Sequence, residues 1–376
     1  MIKIVQVKSQ SELLKFARFK NRLYKGDPYN VPELIIDELA TLSPSKNPAF
    51  EFCQAAQFLC YQDDEIVGRI CAFINHRANE KWQQQRCRFG WYDFVEREDV
   101  AQALMQAASD WGRSQGMDTI VGPMGFTDMD QEGMLTEGFD QLGTMATMYN
   151  YPYYPKFMEQ MGFTKDASWV EFKIFMPKEL PQRFMQMSEI VLQRNNLKVL
   201  KYKNIKELID NGWGYRLFEL LNRAYAPLYG FSELSKAQID KYLKNYISMV
   251  RLELLCFVVD NENSLVGYGV AMPSLAHALQ RSHGKMFPWG FVRLIRALKA
   301  KKVPSCELLI IAVDPAYQNK GVNAVIFANV LRGFRALGSQ WAESNPELEV
   351  NDKMKAHWDG FDHIQHKRRA AFIKKL

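Results

Sequence analysis

The chain has 376 residues, which predicts two domains because single hydrophobic cores usually stop growing below that size. With 47% hydrophobic and 24% charged residues, the composition excludes a disordered or fibrous protein. The net charge of +6 is modest, but Lys and Arg are concentrated between His277 and Val303 and again near the end of the chain.

No run of the sequence reaches the roughly 18 apolar residues that span a bilayer, and the start lacks the apolar core and cleavage site of a signal peptide. We therefore expect a cytoplasmic protein. The cysteines are scattered, without a CxxC pair or matching histidines, so we interpret them as buried thiols and predict neither metal nor disulfides. A segment from Asp128 to Gly133 begins like a calcium loop, but Phe139 stands where the closing acid belongs.

The first half of the chain reads as alternating strands and helices. Apolar runs at 56–61 and 66–74 flank Asp63-Asp64 and predict a hairpin. A strand at 88–95 then precedes a helix whose apolar residues recur at helical spacing until Gly116. The pattern further predicts a strand at 119–124, a helix at 154–161 and a strand at 169–176.

The second half repeats this order of elements. It opens with helical sequence at 205–249, broken near 225–230. The pattern then predicts a hairpin at 252–259 and 265–272, a strand at 306–313, a helix from 322 to 337, an extended stretch at 341–350, a helix at 354–358 and a strand at 366–373. The repeated order indicates a tandem duplication of the α/β class. We predict domains at 1–178 and 195–376, the second carrying a basic insertion at 277–304.

One segment carries chemistry. A buried strand at 308–313 runs through Asp314-Pro-Ala-Tyr-Gln-Asn-Lys-Gly321 directly into a helix. Backbone N–H groups converge at such a helix start and favour a phosphate. Gly321 lets the main chain approach an anion, and Lys320 adds positive charge. Gly321→Glu is therefore expected to abolish anion binding while leaving the fold intact.

This segment resembles the signature of the GNAT (GCN5-related N-acetyltransferase) superfamily: Gln or Arg, two residues, Gly, one residue, then Gly or Ala. Gln318 and Gly321 match it, whereas Asn323 replaces the second small residue and still tolerates positive φ. The resemblance covers most of the chain and extends to a tandem, two-domain subfamily of uncharacterised acyltransferases. It implies two GNAT-like domains, each with a mixed, mostly antiparallel sheet flanked by helices.

The resemblance also implies acetyl-CoA or another acyl-CoA as co-substrate, with its pyrophosphate on the loop and its pantetheine arm along the strand edge. The residues that it assigns to CoA binding are Ile311, Val313, Gln318, Asn319, Lys320, Gly321, Val322, Asn323, Ala324 and Asn351. The family often has a Tyr where this sequence has Trp358, and an indole cannot protonate a leaving thiolate.

An amine acceptor must lose a proton when it attacks a thioester, so a general base is required. Glu307, at the start of the strand before the loop, and Glu349, late in the following strand, are the candidates by topology. The alternative for each is an ordinary solvated or paired carboxylate.

The first domain resembles a GNAT domain without the loop. The acids of Glu96-Arg97-Glu98-Asp99 would repel a pyrophosphate at that helix start, so we expect no CoA there. We predict that its segments 126–139 and 149–154 line the acceptor pocket, through Glu137, Tyr149 and Tyr153. Packing inside the domain is the alternative.

The leading hypothesis is an N-acyltransferase that moves an acetyl or longer acyl group from CoA to an amine or a similar small nucleophile. One alternative is a transferase resembling the Fem peptidyltransferases, which use aminoacyl-tRNA; the basic insertion favours it and the Gln318–Gly321 loop opposes it. Another is an inactive CoA-binding module, which Trp358 favours. The expected partner is a small-molecule acceptor, with no metal and no specific nucleic acid. For segment 286–302, packing is favoured over contact with a membrane surface.

Overall fold

The structure is a computed structural model that describes residues 1–350, 358 and 360–376, without the side chains of Arg183 and Ser248. It contains two compact units that are interleaved along the chain. Unit 1 comprises Met1–Val170, Leu275–Ile295 and His366–Leu376, and unit 2 comprises Glu171–Ser274 and Arg296–Gln365. The predicted domains, 1–178 and 195–376, differ from these units, because the prediction assigns 275–295 and 366–376 to the second domain.

The elements up to the middle of the chain are β1 (Ile2–Gln6), α1 (Gln10–Leu23), α2 (Ile35–Thr41), β2 (Cys53–Gln62), β3 (Glu65–Asn75), α3 (His76–Lys81), β4 (Arg86–Phe94), α4 (Glu98–Ser114), β5 (Thr119–Gly122), β6 (Met134–Glu137), α5 (Tyr153–Gln160), β7 (Thr164–Phe175) and α6 (Gln182–Arg194). The later elements are β8 (Lys198–Val199), α7 (Ile205–Asp210), α8 (Trp213–Tyr225), α9 (Lys236–Tyr246), β9 (Leu255–Val259), β10 (Leu265–Pro273), α10 (Ala276–Ser282), α11 (Gly290–Leu298), β11 (Ser305–Val313), α12 (Val322–Ala336), β12 (Trp341–Glu343), β13 (Glu347–Leu348) and β14 (His363–Lys375).

The sheet of unit 1 has the strand order β1-β2-β3-β4-β5-β14, with β6 also paired to β14. All of these pairs are antiparallel except the parallel β4–β5 pair. Asp63 and Asp64, both with positive φ, form the tight turn of the β2–β3 hairpin, as the sequence predicts. Helix α4 covers this sheet, and its buried Leu104 shares one core with Phe94 and Phe372.

The sheet of unit 2 has the order β7-β12-β11-β10-β9-β8, in which β11–β12 is the parallel pair. Helix α12 packs closely on one face, because a Cβ at Gly267 or Gly269 of β10 would collide with its side chains. Helix α8 covers the opposite face: the register partners Tyr268 and Ala312 share a core with Leu220 of α8.

The same irregularity breaks the ladder between the third and fourth strands of each unit's sheet. In unit 1 the β3–β4 register shifts between Arg69 and Cys71, and in unit 2 the β10–β11 register shifts between Val270 and Ala271. A bulge makes a strand bend away from regular pairing. Its occurrence at corresponding places supports the tandem duplication that the repeated element order indicates.

The insertion between β10 and β11 contributes its first part to unit 1. Gln280 of α10 donates to the carbonyl oxygens of Pro28 and Asn30, at 2.8 and 3.1 Å. The Ile35 N–H donates to the Gly284 carbonyl, at 3.2 Å. These contacts anchor α10 beside the α1–α2 connection of the same unit.

The mixed, mostly antiparallel sheets flanked by helices confirm the predicted fold class. The predicted extended stretch at 341–350 is shorter, since β12 ends at Glu343. The predicted helix at 354–358 lies outside the described residues, except for Trp358. Within the described ranges, no helix is long and apolar enough to cross a bilayer.

Candidate active site

The loop between β11 and α12 is exposed and ends in an uncapped helix start. Asn319 and Gly321 both have positive φ, of 63° and 82°, so the backbone turns at each of these two residues before α12 begins. No described side chain caps α12. The Ala324 N–H donates to the Gly321 carbonyl at 2.9 Å, whereas the N–H groups of Val322 and Asn323 lie at the helix start, where the chain has no preceding turn to accept from them. Lys320 lies over the Tyr317 ring at 4.7 Å from the ring centroid, beside these amides. The arrangement can accept a phosphate group.

Near this loop, some backbone N–H and C=O groups of β11 point to the side opposite β10. Alternate residues of a strand direct their N–H and C=O groups to opposite sides. The Asp314 N–H donates to the Val266 carbonyl of β10 at 2.9 Å, so the backbone of the preceding residue, Val313, faces the other side. The Ile311 carbonyl accepts a hydrogen bond from the Tyr225 hydroxyl of α8 at 3.0 Å and faces that side as well.

This edge is open because β11 and β12 separate. They pair only over the three positions from Ser305 to Glu307. Beyond that, Asn345 reaches across and donates to the Leu309 carbonyl at 2.6 Å. A wedge therefore opens beyond Leu309, and an extended ligand could add to the β11 edge there.

The segment from Asp314 to Gly321, the proposed phosphate loop, contacts helix α6, a helix that the sequence pattern does not predict. A Cβ on Gly321 would lie 2.7 Å from a methyl group of Val191, and Asn195 donates to the Lys320 carbonyl at 3.4 Å. Gly321 is thus required by both its φ and this packing. A side chain at Gly321 therefore strains the loop, so Gly321→Glu would add local strain to the charge repulsion expected at the anion site.

Glu307 lies in a row of charged residues across the unit 2 sheet. Its register partner on β12 is Glu343, whose partner on β7 is Lys173. Both glutamates are buried. The β10 partner of Glu307 is Met272. Along β10, Val270 and Tyr268 stand two and four positions before Met272, so all three lie on the same face of the sheet. Val270 and Tyr268 pack towards α8, and the row of charged residues therefore lies on the α8 face. Glu343 was missed in the sequence because its stretch looked merely extended.

Glu349 is placed differently from its prediction. It lies in a turn after β13, half-buried, and not late in the fifth strand. Trp358 is buried against Phe327 of α12, with ring centroids 5.0 Å apart, and its indole N–H donates to Glu347 at 3.1 Å. This tryptophan is a core residue. Asn351, predicted to bind CoA, lies outside the described residues.

In unit 1 the corresponding strand edge is already occupied by tyrosines. The β4 residue Phe94 accepts a hydrogen bond from the Tyr153 hydroxyl at 2.7 Å, and its N–H donates to the Tyr154 hydroxyl at 3.0 Å. Tyr154 is in turn bonded to the Tyr24 hydroxyl at 2.9 Å. The hydroxyls of Tyr153 and Tyr154 thus occupy the edge at Phe94, and burial raises the pKa of Tyr154 well above its ordinary value.

The other unit 1 candidates are structurally engaged. The Tyr149 hydroxyl donates to the Phe139 carbonyl at 3.0 Å, and the ring is buried beside Tyr24. Glu137, on β6, forms a short ion pair with Arg368 of β14. Tyr149 and Tyr153 therefore belong to the core of unit 1, while Glu137 remains half-exposed.

A buried ion network stands at the bulge of unit 1. Fully buried Arg69 contacts Asp93 at 2.8 Å, Glu33 at 3.3 Å and Glu38 at 3.4 Å, and Lys20 also binds Glu33. Burial alone would raise the pKa of Glu33, but Lys20 and Arg69 outweigh it and lower the pKa to about 2. Burial and the neighbouring Glu33 charge raise the pKa of Glu38 well above its usual range.

The splayed strands, the bulge and the uncapped loop of unit 2 invite comparison with known structures. A tandem GNAT protein from the clavulanic acid biosynthesis pathway superposes with a TM-score of 0.57 and 12% identity, covering 100% of this chain and 98% of that one. A GCN5-related N-acetyltransferase from Sphaerobacter thermophilus gives a TM-score of 0.53 and 10% identity, covering 99% and 95%.

The chain has the tandem GNAT fold. Two curated relatives match nearly its full length. Protein YghO of Escherichia coli (strain K12) is 25% identical over 336 residues, covering 87% of this chain and 82% of that protein. The bacterial ceramide synthase of Caulobacter vibrioides is 26% identical over 369 residues, covering 94% and 92%. No family model matches the sequence.

Proposed function

We propose that this GNAT protein transfers an acyl group from an acyl-CoA bound to unit 2 onto an amine. The observation that carries the proposal is the open β11 edge that leads directly to the uncapped start of α12. Ile311 and Val313 would pair with the pantetheine arm, and Gln318 to Ala324 would surround the pyrophosphate. Acyl-CoA would supply an activated thioester at the wedge.

For the acceptor we propose a long-chain amine. The support is the relative named bacterial ceramide synthase, which aligns over 94% of this chain. A ceramide is the amide of a long-chain amine and a fatty acid, so the same chemistry of amine and acyl thioester would apply. Of the unit 1 residues predicted for the acceptor side, Tyr149 and Tyr153 are core residues of that unit, and only Glu137 stays a prediction.

The residues of unit 2 would move two protons. The amine nitrogen forms a bond to the thioester carbon and gives up a proton, for which Glu307 is the proposed base, with Glu343 beside it and Glu349 as the alternative. The carbon–sulfur bond breaks, and the sulfur takes a proton. We assign that donation to Tyr225, whose hydroxyl stands at the β11 edge on the Ile311 carbonyl, 3.0 Å away. Backbone N–H groups of the edge would polarise the carbonyl.

The proposed reaction is tested with purified protein, an acyl-CoA series from acetyl to palmitoyl and a panel of short and long-chain amines. Released thiol is measured and the amide is identified by mass spectrometry. Thiol release that depends on a long-chain amine is expected. If amide forms only with aminoacyl-tRNA as donor, the Fem-like alternative replaces the proposal; CoA binding without turnover of any amine would favour the inactive module.

Lys320→Gln tests the phosphate loop. Loss of one charge-assisted contact is expected to weaken acetyl-CoA binding about tenfold in calorimetry. Lys198→Gln, which removes an equally exposed lysine elsewhere in unit 2, serves as the control and should bind like the parent protein. Equal affinity of both variants would remove the assigned phosphate site.

Tyr225→Phe tests the proton donor. We expect kcat to fall about 100-fold, with acyl-CoA affinity nearly unchanged, because the phenol is needed only when sulfur leaves. Tyr202→Phe, a half-buried tyrosine of unit 2, is the matched control. An unchanged kcat in the Tyr225 variant, when chemistry limits the rate, would contradict the assignment.

A further inference from the structure

Helix α11 and the turn before it expose large apolar side chains to solvent. Phe287 is 74% exposed, Trp289 66% and Ile295 46%. Phe287 and Phe291 lie next to each other, with ring centroids 5.9 Å apart. Phe291 and Ile295 are four positions apart in α11, so they extend the same stripe along the helix surface.

The packing of α11 uses a different stripe. Gly290 and Leu294 are its buried residues, again four positions apart. A Cβ on Gly290 would collide with the Lys285 carbonyl, which shows how closely the turn folds onto the helix start. Packing therefore explains Gly290 and Leu294 and leaves the aromatic stripe unexplained.

Basic residues flank the exposed stripe. Lys285, Arg293, Arg296 and Lys299 are all exposed, and the sequence from His277 to Val303 contains no acid. Arg293 is held by a short hydrogen bond to the Arg281 carbonyl, which fixes it beside the helix. Exposed aromatic side chains rimmed by cations match an interface where acyl chains lie next to anionic headgroups.

We propose that this surface, formed by Lys285 to Lys299, docks the protein on an anionic phospholipid bilayer. Phe287, Trp289 and Phe291 enter the headgroup region, while the surrounding lysines and arginines contact lipid phosphates. The docking is peripheral. It goes beyond the proposed transfer reaction and does not depend on it, because binding is measured without substrate.

The test is flotation of the full chain with vesicles of phosphatidylcholine alone, or with about a third phosphatidylglycerol, which gives the surface its negative potential. Binding is expected only to the anionic vesicles and should fall as salt rises. Phe287→Ala with Trp289→Ala should weaken binding at least about tenfold, through lost apolar burial. Arg296→Gln with Lys299→Gln should weaken it about 30-fold, at the usual contribution of each cation.

Two matched variants report on specificity. Trp82→Ala removes another exposed tryptophan of unit 1, and Lys15→Gln with Arg18→Gln removes two exposed cations of α1. Both should float like the parent protein. Circular dichroism checks that the surface variants remain folded.

Two results would overturn the proposal. One is flotation that is equally strong without Phe287 and Trp289, which would mean charge attraction alone. The other is tight binding to duplex RNA or DNA that the Arg296 and Lys299 variant loses while vesicle binding stays negligible. That second result would assign the same cations to a nucleic acid.

Discussion

At the residue scale, Gly321 limits how the phosphate loop can vary. Its φ of 82° costs an alanine about 1–2 kcal/mol, and the added Cβ would also press on Val191, at 2.7 Å. We expect Gly321→Ala to lower the free energy of unfolding by at least that amount, measured in urea. The collision, but not the backbone strain, should be relieved in the double variant with Val191→Ala.

Val191→Ala alone is the control for this pair, and its own loss should be small because Val191 is only half-buried. If Gly321→Ala were as stable as the parent protein, the loop would have to adopt another path. The phosphate site would then no longer rest on a left-handed glycine.

At the scale of elements, the buried network joins α1, β3, β4 and the segment before α2, and it predicts a pH dependence. The folded pKa of Glu33, about 2, is below its ordinary value of 4.5. A lowered carboxyl pKa stabilises the fold above pH 4.5, and this contribution is lost as the pH falls towards 2.

Glu33→Gln should therefore destabilise the protein near neutral pH, and the difference from the parent protein should shrink below about pH 4. Urea unfolding at a series of pH values measures it. Glu65→Gln, at the exposed start of β3, is the control and should leave the curve unchanged. A constant Glu33→Gln difference from neutral pH to pH 2 would exclude the ion pairs as its cause.

Elements set by local signals were predictable from the sequence. The Asp63-Asp64 turn and the Gly116 and Gly162 helix ends follow from nearby residues, and the structure has them. Within the proposed site, the loop from Gln318 to Gly321 was predictable from the sequence for the same reason. Residues recruited from distant elements were not: Tyr225, Asn345 and Glu343 reach the β11 region only through tertiary folding.

The final strand shows the same limit. The sequence predicts a strand at 366–373, but the local sequence does not say which sheet the strand joins. The structure pairs Phe372 with Gly122 and Arg369 with Leu135, both in unit 1. The sheet that a strand joins is set by pairing with residues far away in the sequence, so it cannot be predicted from the local pattern.

At the scale of the whole molecule, this pairing makes unit 1 depend on a distant part of the chain. Phe372 is fully buried in the core that contains Phe94 and Leu104. Phe372→Ala should cost about 3–5 kcal/mol of unfolding free energy, as large-to-small core changes do. Hydrogen exchange of β4 and α4 amides should report the loss within unit 1.

Ile364→Ala provides the comparison, because Ile364 lies on the same strand and is half-exposed. Its effect on those amides should be slight. If Phe372→Ala left the exchange of β4 and α4 amides unchanged, β14 would not be an integral strand of unit 1. Expression of residues 1–178 alone is for this reason a poor test of what unit 1 binds.

The interleaved strand also has a consequence during synthesis. Residues 1–170 leave the ribosome long before His366–Leu376, and at ordinary rates of translation the interval is on the order of tens of seconds. Until then β5 is paired only with β4, β6 lacks its β14 partner, and the core around Phe94 lacks the side chains of β14. The nascent unit 1 should consequently be a client for chaperones that bind exposed apolar segments and strand edges, and rare codons shortly before His366 would prolong that exposure.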